Sequence, residues 1–366
     1  MATFTKPLAR LCDLAYDKLN KSKRRRNSMA TLKDVAKLAQ VSPATVSRVL
    51  NKNSVITAKT RHRVEKAMKQ LNYVPNTNAR NLATSNARTI GVILPASQQM
   101  VYSNPFFVEL LRGINHVTSD NDLLTAVATG ESVTDLVRSI TMMTAQNKIE
   151  KFILLYSQKN DPILDFLAQS NAKYVLLGKP AKDSWNVCYV DNDNILAGSD
   201  VTSYLVKKGH RHIGFLYDDF SQVVQGDRYL GYQRAVIQEG LNEYHLGLSE
   251  PADAIGPPLR TFLKKHPQIT AMIATDDLLA LQVQRQLAQL HLPQAMSLVG
   301  FNNSIFAKVA QPQLTSVEVF PVALGEAVAK MIVNLSQQQN APNNMITPHQ
   351  IIERDSVVDL TIGEAN

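Results

Sequence analysis

Cysteine is scarce in this chain: Cys12 and Cys188 are the two among 366 residues. They build no disulfide framework. No apolar run has the length of a signal-peptide core or of a membrane-spanning helix, so the chain reads as cytoplasmic. No G-x-G-x-x-G follows the first predicted strand, and no P-loop, nucleophile elbow or metal-spaced Cys/His set occurs. These absences argue against a dehydrogenase, an NTPase, a hydrolase and a metalloenzyme, and no cofactor or metal is implied. His210 and His212 flank a strand start without a third ligand and read as loop and cap residues. The C-terminus carries no heptad repeat, which argues against a tetramerising coiled coil.

Positive charge, by contrast, is concentrated. Residues 1–90 hold 19 Lys+Arg against 4 Asp+Glu, a net of +15 in a chain whose total is +8. Residues 91–366 are therefore net −7. A cationic head on an anionic body is the footprint of polyanion binding, and its field orients the molecule as well as attracting it.

Within that head, residues 31–51 read as a helix-turn-helix. Thr31 caps a first helix with Asp34 three residues on, a variant of the capping box. Leu32, Val35, Ala36 and Ala39 fall on one face. Gln40-Val41 forms a corner, Ser42 caps the second helix and Pro43 suits its first position. Val46, Val49 and Leu50 turn inward. Pro43, Ala44, Thr45, Ser47 and Arg48 are left toward the end or outer face that a recognition helix offers to a major groove. An ordinary helical hairpin would share most of this pattern. A third amphipathic segment opens at Thr57 and adds Val64, Ala67, Met68 and Leu71 to the same small core, with Arg61, Arg63, Lys66 and Lys69 between them. Pro75 is expected to end it. Asn76 then caps a helix over about 77–83, too short to persist alone in water. Its Leu82 is either a stray linker leucine or a wedge between base steps that orders on DNA.

The run Thr-Leu-x-Asp-Val-Ala-x-x-Ala-x-Val-Ser-x-x-Thr-Val-Ser-Arg-Val-Leu-Asn, then Leu-Asn-Tyr-Val-Pro-Asn and Ala-Arg-x-Leu-Ala, closely resembles the LacI/GalR family of bacterial transcription factors, over residues 29–360. The resemblance implies a homodimer whose headpieces each read half of a palindromic double-stranded operator. It makes Leu82 the hinge-helix leucine that kinks the central step. It implies DNA contacts from Thr31, Ser42, Pro43, Ala44, Thr45, Ser47, Arg48, Asn51, Tyr73, Asn76, Ala79, Arg80 and Leu82. Arg48 is suited to guanine O6 and N7. Pro43 and Ala44 stand where some relatives carry polar readers and offer apolar contact instead. The expected division is an extra, disordered arm at 1–28, a headpiece at 29–75, a hinge helix and linker at 76–88, and an effector-binding and dimerisation domain at 89–366. Met29 looks like a natural start for the family, and the Lys/Arg run before it is suited to added phosphate contacts.

From residue 89 the texture becomes strand–helix alternation. Thr89–Pro95 is a continuous apolar run, suited to a strand buried on both faces. Strands are expected at 123–127, 152–156, 174–178, 213–217, 271–274 and 297–301. Helices are expected at 106–116, 133–147, 193–208, 225–239, 278–290 and 320–337. This order predicts doubly wound parallel sheets. The full expectation is an all-α helix-turn-helix headpiece followed by a two-lobed α/β domain similar to periplasmic sugar-binding proteins. Ligands of such folds sit beyond the carboxyl ends of strands, in the cleft.

The residues following each strand are the effector candidates. Ser97, Asn104 and Phe106 follow the first, where Phe106 is suited either to a sugar face or to its own lobe's core. Tyr156 and Ser157 follow the third. The run Asp191-Asn192-Asp193-Asn194 reads as a turn and cap, with Asp191 a candidate contact. The Arg-Gly-aromatic spacing of Arg228, Gly231 and Tyr232 resembles the family's effector anchor, whose fork bonds neighbouring hydroxyls. The resemblance places Asp276 in the cleft and Asp277 in the cap role. Many relatives carry Asp where Asn302 stands, and an amide both donates and accepts, which suits a neutral polyhydroxyl ligand. The Gly-Phe-Asn-Asn-Ser form resembles the maltose-operon repressors of Gram-positive bacteria, which implies control of maltose- or α-glucoside-type utilisation genes. A purine-sensing repressor and a sugar-binding protein without regulatory role are the competing readings. A phosphoprotein corepressor is left open, and no membrane partner is expected.

Overall fold

A computed structural model describes residues 30–50, 56–73, 88–96, 103–181, 187–248, 254–290, 295–336 and 342–361. Packing divides the chain into two units, Met1–Asn86 and Ala87–Asn366.

The first unit contains α1 (Leu32–Leu38), α2 (Pro43–Leu50) and α3 (Ala58–Gln70). Thr31 and Asp34 close the predicted capping box: the Thr31 amide donates to Asp34 Oδ2 at 2.8 Å, and Asp34 N–H donates to Thr31 Oγ at 3.3 Å. Gln40 makes the corner in the left-handed region, φ +52. Ser42 Oγ accepts from Thr45 N–H at 3.1 Å, with Pro43 at the first helical position. Val35, Ala36, Ala39, Val46, Val49, Val64 and Ala67 form the core, with Met68 and Leu71 packed on it. Helix α3 ends sooner than Pro75. It stops at Gln70 because Asn72 turns left-handed, φ +45, and Tyr73 N–H closes back onto Met68 O at 2.9 Å.

The second unit holds two six-stranded sheets among the described residues, ordered β11-β5-β4-β3-β1-β2 and β12-β10-β9-β8-β6-β7. The first lobe comprises β1 (Thr89–Ile93), α4 (Pro105–Asp120), β2 (Leu124–Ala128), α5 (Val133–Ala145), β3 (Lys151–Leu154), α6 (Pro162–Gln169), β4 (Lys173–Leu177) and β5 (Cys188–Asn192). The second comprises α7 (Asn194–Lys207), β6 (Ile213–Tyr217), α8 (Val223–Gln238), β7 (Tyr244–Gly247), α9 (Gly256–Lys265), β8 (Ala271–Ala274), α10 (Asp277–Leu287), β9 (Ser297–Phe301), α11 (Ile305–Val309) and β10 (Thr315–Glu318). The chain then returns to the first lobe with α12 (Pro321–Ser336) and β11 (Asn344–Thr347), and crosses again into β12 (Gln350–Ile352). Every pairing between these strands is parallel except β10 with β12.

Strand alternation explains the apolar runs. Ile90 and Val92 of β1 enter the core under α4 and α12, while Ile93 enters the core under α5 and α6. In β8, Ala271 and Ile273 face α7 and α8, and Met272 and Ala274 face α9 and α10. A strand covered on both faces has no reason to alternate with polar residues. In each lobe the first strand lies between the second and third, which opens a crevice at its carboxyl end. No helix among the described residues is long and apolar enough to cross a membrane.

Candidate functional site

Arg228 reaches the carboxyl ends of β8 and β9 in the second lobe. It is 5% exposed on α8. Its Nε donates to Asn194 Oδ1 at 2.9 Å and Nη1 donates to the Thr275 carbonyl at 2.6 Å. The guanidinium lies 4.1 Å from the Phe301 ring centroid. A planar fork with five donors is the side chain suited to such a place. Burial pulls the guanidinium down to about 10, against the charges of Asp276, Asp191 and Asp277, which hold it up.

Two glycines let α7 and α8 cross closely enough to seat this arginine. A Cβ on Gly231 would lie 2.0 Å from the Ile195 carbonyl, and one on Gly198 would lie 2.1 Å from the Arg228 carbonyl. Gly231 belongs to the Arg-Gly-aromatic pattern, so the pattern has a packing reason: it brings Arg228 to Asn194.

The acidic residues around Arg228 divide the work differently from expectation. Asp276 is the N-cap of α10, accepting from Leu279 N–H through Oδ1 at 2.8 Å. Its second oxygen accepts from Asn104 Nδ2 at 3.1 Å. Asp277, expected to be the cap, is instead a buried clasp. It accepts from the Ser316 hydroxyl at 2.6 Å and from Ser304 N–H at 2.7 Å. The carboxylate that starts one residue earlier has the extended backbone a cap requires, which leaves Asp277 inside the first turn, facing β9 and β10. Burial raises Asp276 to about 6 and Asp277 to about 7. Asp191, 8% exposed at the end of β5, is raised to about 7 by burial and by the charge of Asp227. Its Oδ1 accepts from Asn194 Nδ2 at 2.9 Å. Asp193 is the cap of α7.

From the first lobe, Asn104 caps α4 by accepting from Phe106 N–H at 3.1 Å. Phe106 packs against the cores of both lobes, which accords with the core reading and extends it to the second lobe. Ser157 is half-buried, and its hydroxyl donates to the Lys179 carbonyl at 2.5 Å. Tyr156 packs on the core under α5 and α6, where burial and the Asp161 charge raise its phenol. Asn302 follows β9 in the left-handed region, φ +94, its N–H donating to Val317 O at 2.8 Å. Ser97 lies outside the described residues. Among the candidates, the structure thus brings together Asn104, Asp191, Arg228 and Asp276, with Phe106 between the lobe cores. Sequence reasoning gave Asn194 only a capping place and missed the Thr275 carbonyl.

The lobes also meet at a strap. Gln158 and Gln222 form an antiparallel bridge, with Lys159 N–H donating to Ser221 O at 2.8 Å and Val223 N–H to Ser157 O at 3.0 Å. Beneath it Tyr217 and Phe220 stack at 3.5 Å. His210 and His212 are structural: His210 pairs with Thr270 Oγ at 2.8 Å and His212 with the Tyr244 hydroxyl at 3.2 Å.

In the headpiece, Thr31, Ser42, Pro43, Ala44 and Arg48 are exposed, and Thr45 and Ser47 half-buried. Tyr73 packs partly against the headpiece core. Asn51, Asn76, Ala79, Arg80 and Leu82 lie outside the described residues.

Comparison with known proteins agrees with both units. Residues 31–76 match the model for bacterial regulatory proteins of the lacI family, and residues 202–357 match a periplasmic binding protein-like domain. The HTH-type transcriptional regulator MalR of Streptococcus pneumoniae is 36% identical over 328 residues, 88% of this chain and 99% of the relative. MalR of Staphylococcus xylosus is 33% identical over 336 residues, 91% and 99% of the two chains. The solved complex of the transcriptional regulator CelR with cellobiose superposes with a TM-score of 0.68 at 27% identity, covering 89% of this chain and 99% of that one. Likeness of this extent, over a capped helix-turn-helix and a two-lobed body alike, leaves no room for an enzyme: the chain belongs to the lacI family of bacterial regulatory proteins and is a DNA-binding transcriptional regulator.

Proposed function

We propose that this regulator is a repressor that binds a palindromic operator as a homodimer and takes a neutral sugar, of the maltose or α-glucoside type, in the cleft around Arg228. The charge balance of that cleft carries the reading. One buried guanidinium is faced by Asp191, Asp276 and Asp277, with Asp227 close behind. An anionic ligand would meet more negative than positive charge there. Hydroxyls, which donate to carboxylates and accept from a guanidinium, match it. Phe106, half-buried between the lobe cores, adds an apolar face of the kind that covers a sugar ring. The MalR and CelR names of the relatives point the same way.

The site residues Ser97, Asn104, Phe106, Tyr156, Ser157, Asp191, Arg228, Asp276 and Asn302 are proposed for the effector, with Asn194 added. The exposed residues at the start of α2, together with Arg48, are proposed for base edges. Effector binding favours one spacing of the lobes, and this spacing controls whether the segments at 76–88 pair on DNA. The coupling is reciprocal.

A thermal-shift panel tests the effector, since a ligand that binds the native form raises its melting temperature. Maltose, trehalose, cellobiose, glucose and maltotriose are compared with hypoxanthine and guanine. A rise with a sugar alone supports the reading, and a rise with a purine alone replaces it with a purine-responsive regulator. Selection of bound duplexes from a randomised library, repeated on a chain truncated before residue 89, tests the headpiece. Salt-sensitive retention of a palindrome that vanishes on truncation is the expected result.

A further inference from the structure

Three segments join the lobes: the turn from β5 into α7, the turn from β10 into α12, and the turn from β11 into β12. One side chain touches all three. Asn192, the last residue of β5 and 4% exposed, donates through Nδ2 to Val319 O at 3.2 Å on the second crossover. On the third it faces Thr347 Oγ at 2.8 Å, Pro348 O at 3.1 Å and Thr347 O at 3.4 Å. An amide has two N–H protons. It therefore shares them among acceptors on separate strands, and any change in crossover spacing alters which bonds survive.

Asn192 is also covalently next to the effector site. Asp191 on one side accepts from Asn194 Nδ2, and Asn194 in turn accepts from Arg228 Nε. The segment 191–194 thus carries the anchor's partner and the crossover clasp two residues apart. Thr347 Oγ extends the link by donating to the Asp191 carbonyl at 3.4 Å.

We propose that Asn192 is the positioning residue of this cleft: by tying the three crossovers together it sets the spacing of the lobes before any effector arrives. This rests on the reading of the cleft as the effector site, and adds which residue holds that site's two halves in register. Loss of the amide lets the lobes part, which unmakes the strap bonds of Lys159 and Val223 without touching either.

Amide hydrogen exchange on the full chain, with no ligand added, tests this directly. In Asn192→Ala, the peptides carrying Lys159 and Val223 are expected to exchange about tenfold faster, the factor one net hydrogen bond is worth. Peptides from β1 and β8 keep their rates. Thr347→Val removes one acceptor and moves the strap in the same direction by less. Unchanged strap exchange in Asn192→Ala overturns the proposal. So does equal acceleration of strap and core strands, because that is general destabilisation. Should Asn192→Ala not fold, Thr347→Val decides: unaltered strap exchange overturns the proposal and selective acceleration supports it. Failure of every sugar to bind would remove the sugar reading and leave this result standing.

Discussion

Asn104 and Asp276 meet across the cleft, 172 residues apart in the chain, with Asn104 Nδ2 donating to Asp276 Oδ2 at 3.1 Å. Each also caps the helix it begins, α4 in one lobe and α10 in the other. The two helix starts are thus aimed at one another through their own caps. A ligand hydroxyl entering here replaces a bond that already exists, so its gain is the difference between two polar contacts. Asn104→Ser separates the roles, since a serine hydroxyl still caps but does not reach across. Stability is expected to change by less than about 0.5 kcal/mol, the range of a cap-for-cap exchange. The strap amides are expected to exchange faster, as read by hydrogen exchange. A variant with wild-type strap protection would show that this bond does not hold the lobes.

Arg228→Ala is expected to abolish sugar binding and also to destabilise the body by about 3 kcal/mol, the scale for removing one partner of a buried charge group. The sequence alone suggests a folded, unresponsive protein. The structure adds the folding cost, because Asn194, the Thr275 carbonyl and the facing carboxylates lose their shared cation. Thermal unfolding and calorimetric titration with maltose separate the two effects. Normal heats with maltose would remove Arg228 from the site.

The α7–α8 crossing gives a test of placement without a change of charge. Gly231→Ala puts a methyl 2.0 Å from the Ile195 carbonyl, so the helices must separate. Overpacking of this kind costs about 1–3 kcal/mol. Sugar affinity is expected to fall beyond what the lower stability explains, since Arg228 moves relative to Asn194. Titration well below the melting temperature isolates that part. Unchanged affinity would mean that the crossing does not place the arginine.

What was legible in the sequence follows from what each segment buries. The two-faced strands β1, β6, β8 and β9 announced themselves as apolar runs, and α4, α5, α7, α8, α10 and α12 by period. Strands β5 and β10 and helices α6 and α9 escaped, as did the shorter or one-sided pieces. Strand β7 alternates Tyr244 and Leu246 with exposed His245 and Gly247, and β11 and β12 are short segments with little burial. Helix α11 spans five residues and exposes Ile305 and Val309. At the site, Arg228 carried a pattern, whereas its partners Thr275 and Asn194 act through a backbone carbonyl and a small amide that leave no pattern. That the cap falls on Asp276 and not on Asp277 was invisible for a simpler reason: two adjacent carboxylates before a helix differ by one residue of register.

Recognition of DNA is expected to separate by residue. Arg48 is exposed on α2, and Lys66 is exposed on α3. If Arg48 reads a base edge, Arg48→Ala costs about 1–3 kcal/mol on the selected palindrome and little on random duplex. Lys66→Ala is expected to weaken both alike and to lower the salt slope by about one. Fluorescence anisotropy over a salt series reads both quantities. Equal losses on both duplexes for Arg48→Ala would place that residue on the phosphate backbone.

The buried carboxylates give the body a pH dependence of definite sign. Asp191 is raised from 3.8 to about 7, chiefly by burial. The folded state therefore holds this proton more tightly than the unfolded chain does. Its stabilising contribution is fully present below about pH 4 and is lost as the pH rises through about 7. Asp276 acts in the same direction, with its loss complete nearer pH 6. Asp191→Asn keeps a carbonyl oxygen for Asn194 Nδ2 and removes the titration. Its melting temperature is expected to fall less between pH 5 and pH 8 than that of the unaltered protein, across the window these shifts define. Parallel melting curves over that range would show Asp191 to be charged and well solvated in the folded state. Sugar binding that weakens as the pH drops toward 5 is the companion result, because a protonated Asp191 or Asp276 accepts fewer hydroxyl hydrogen bonds.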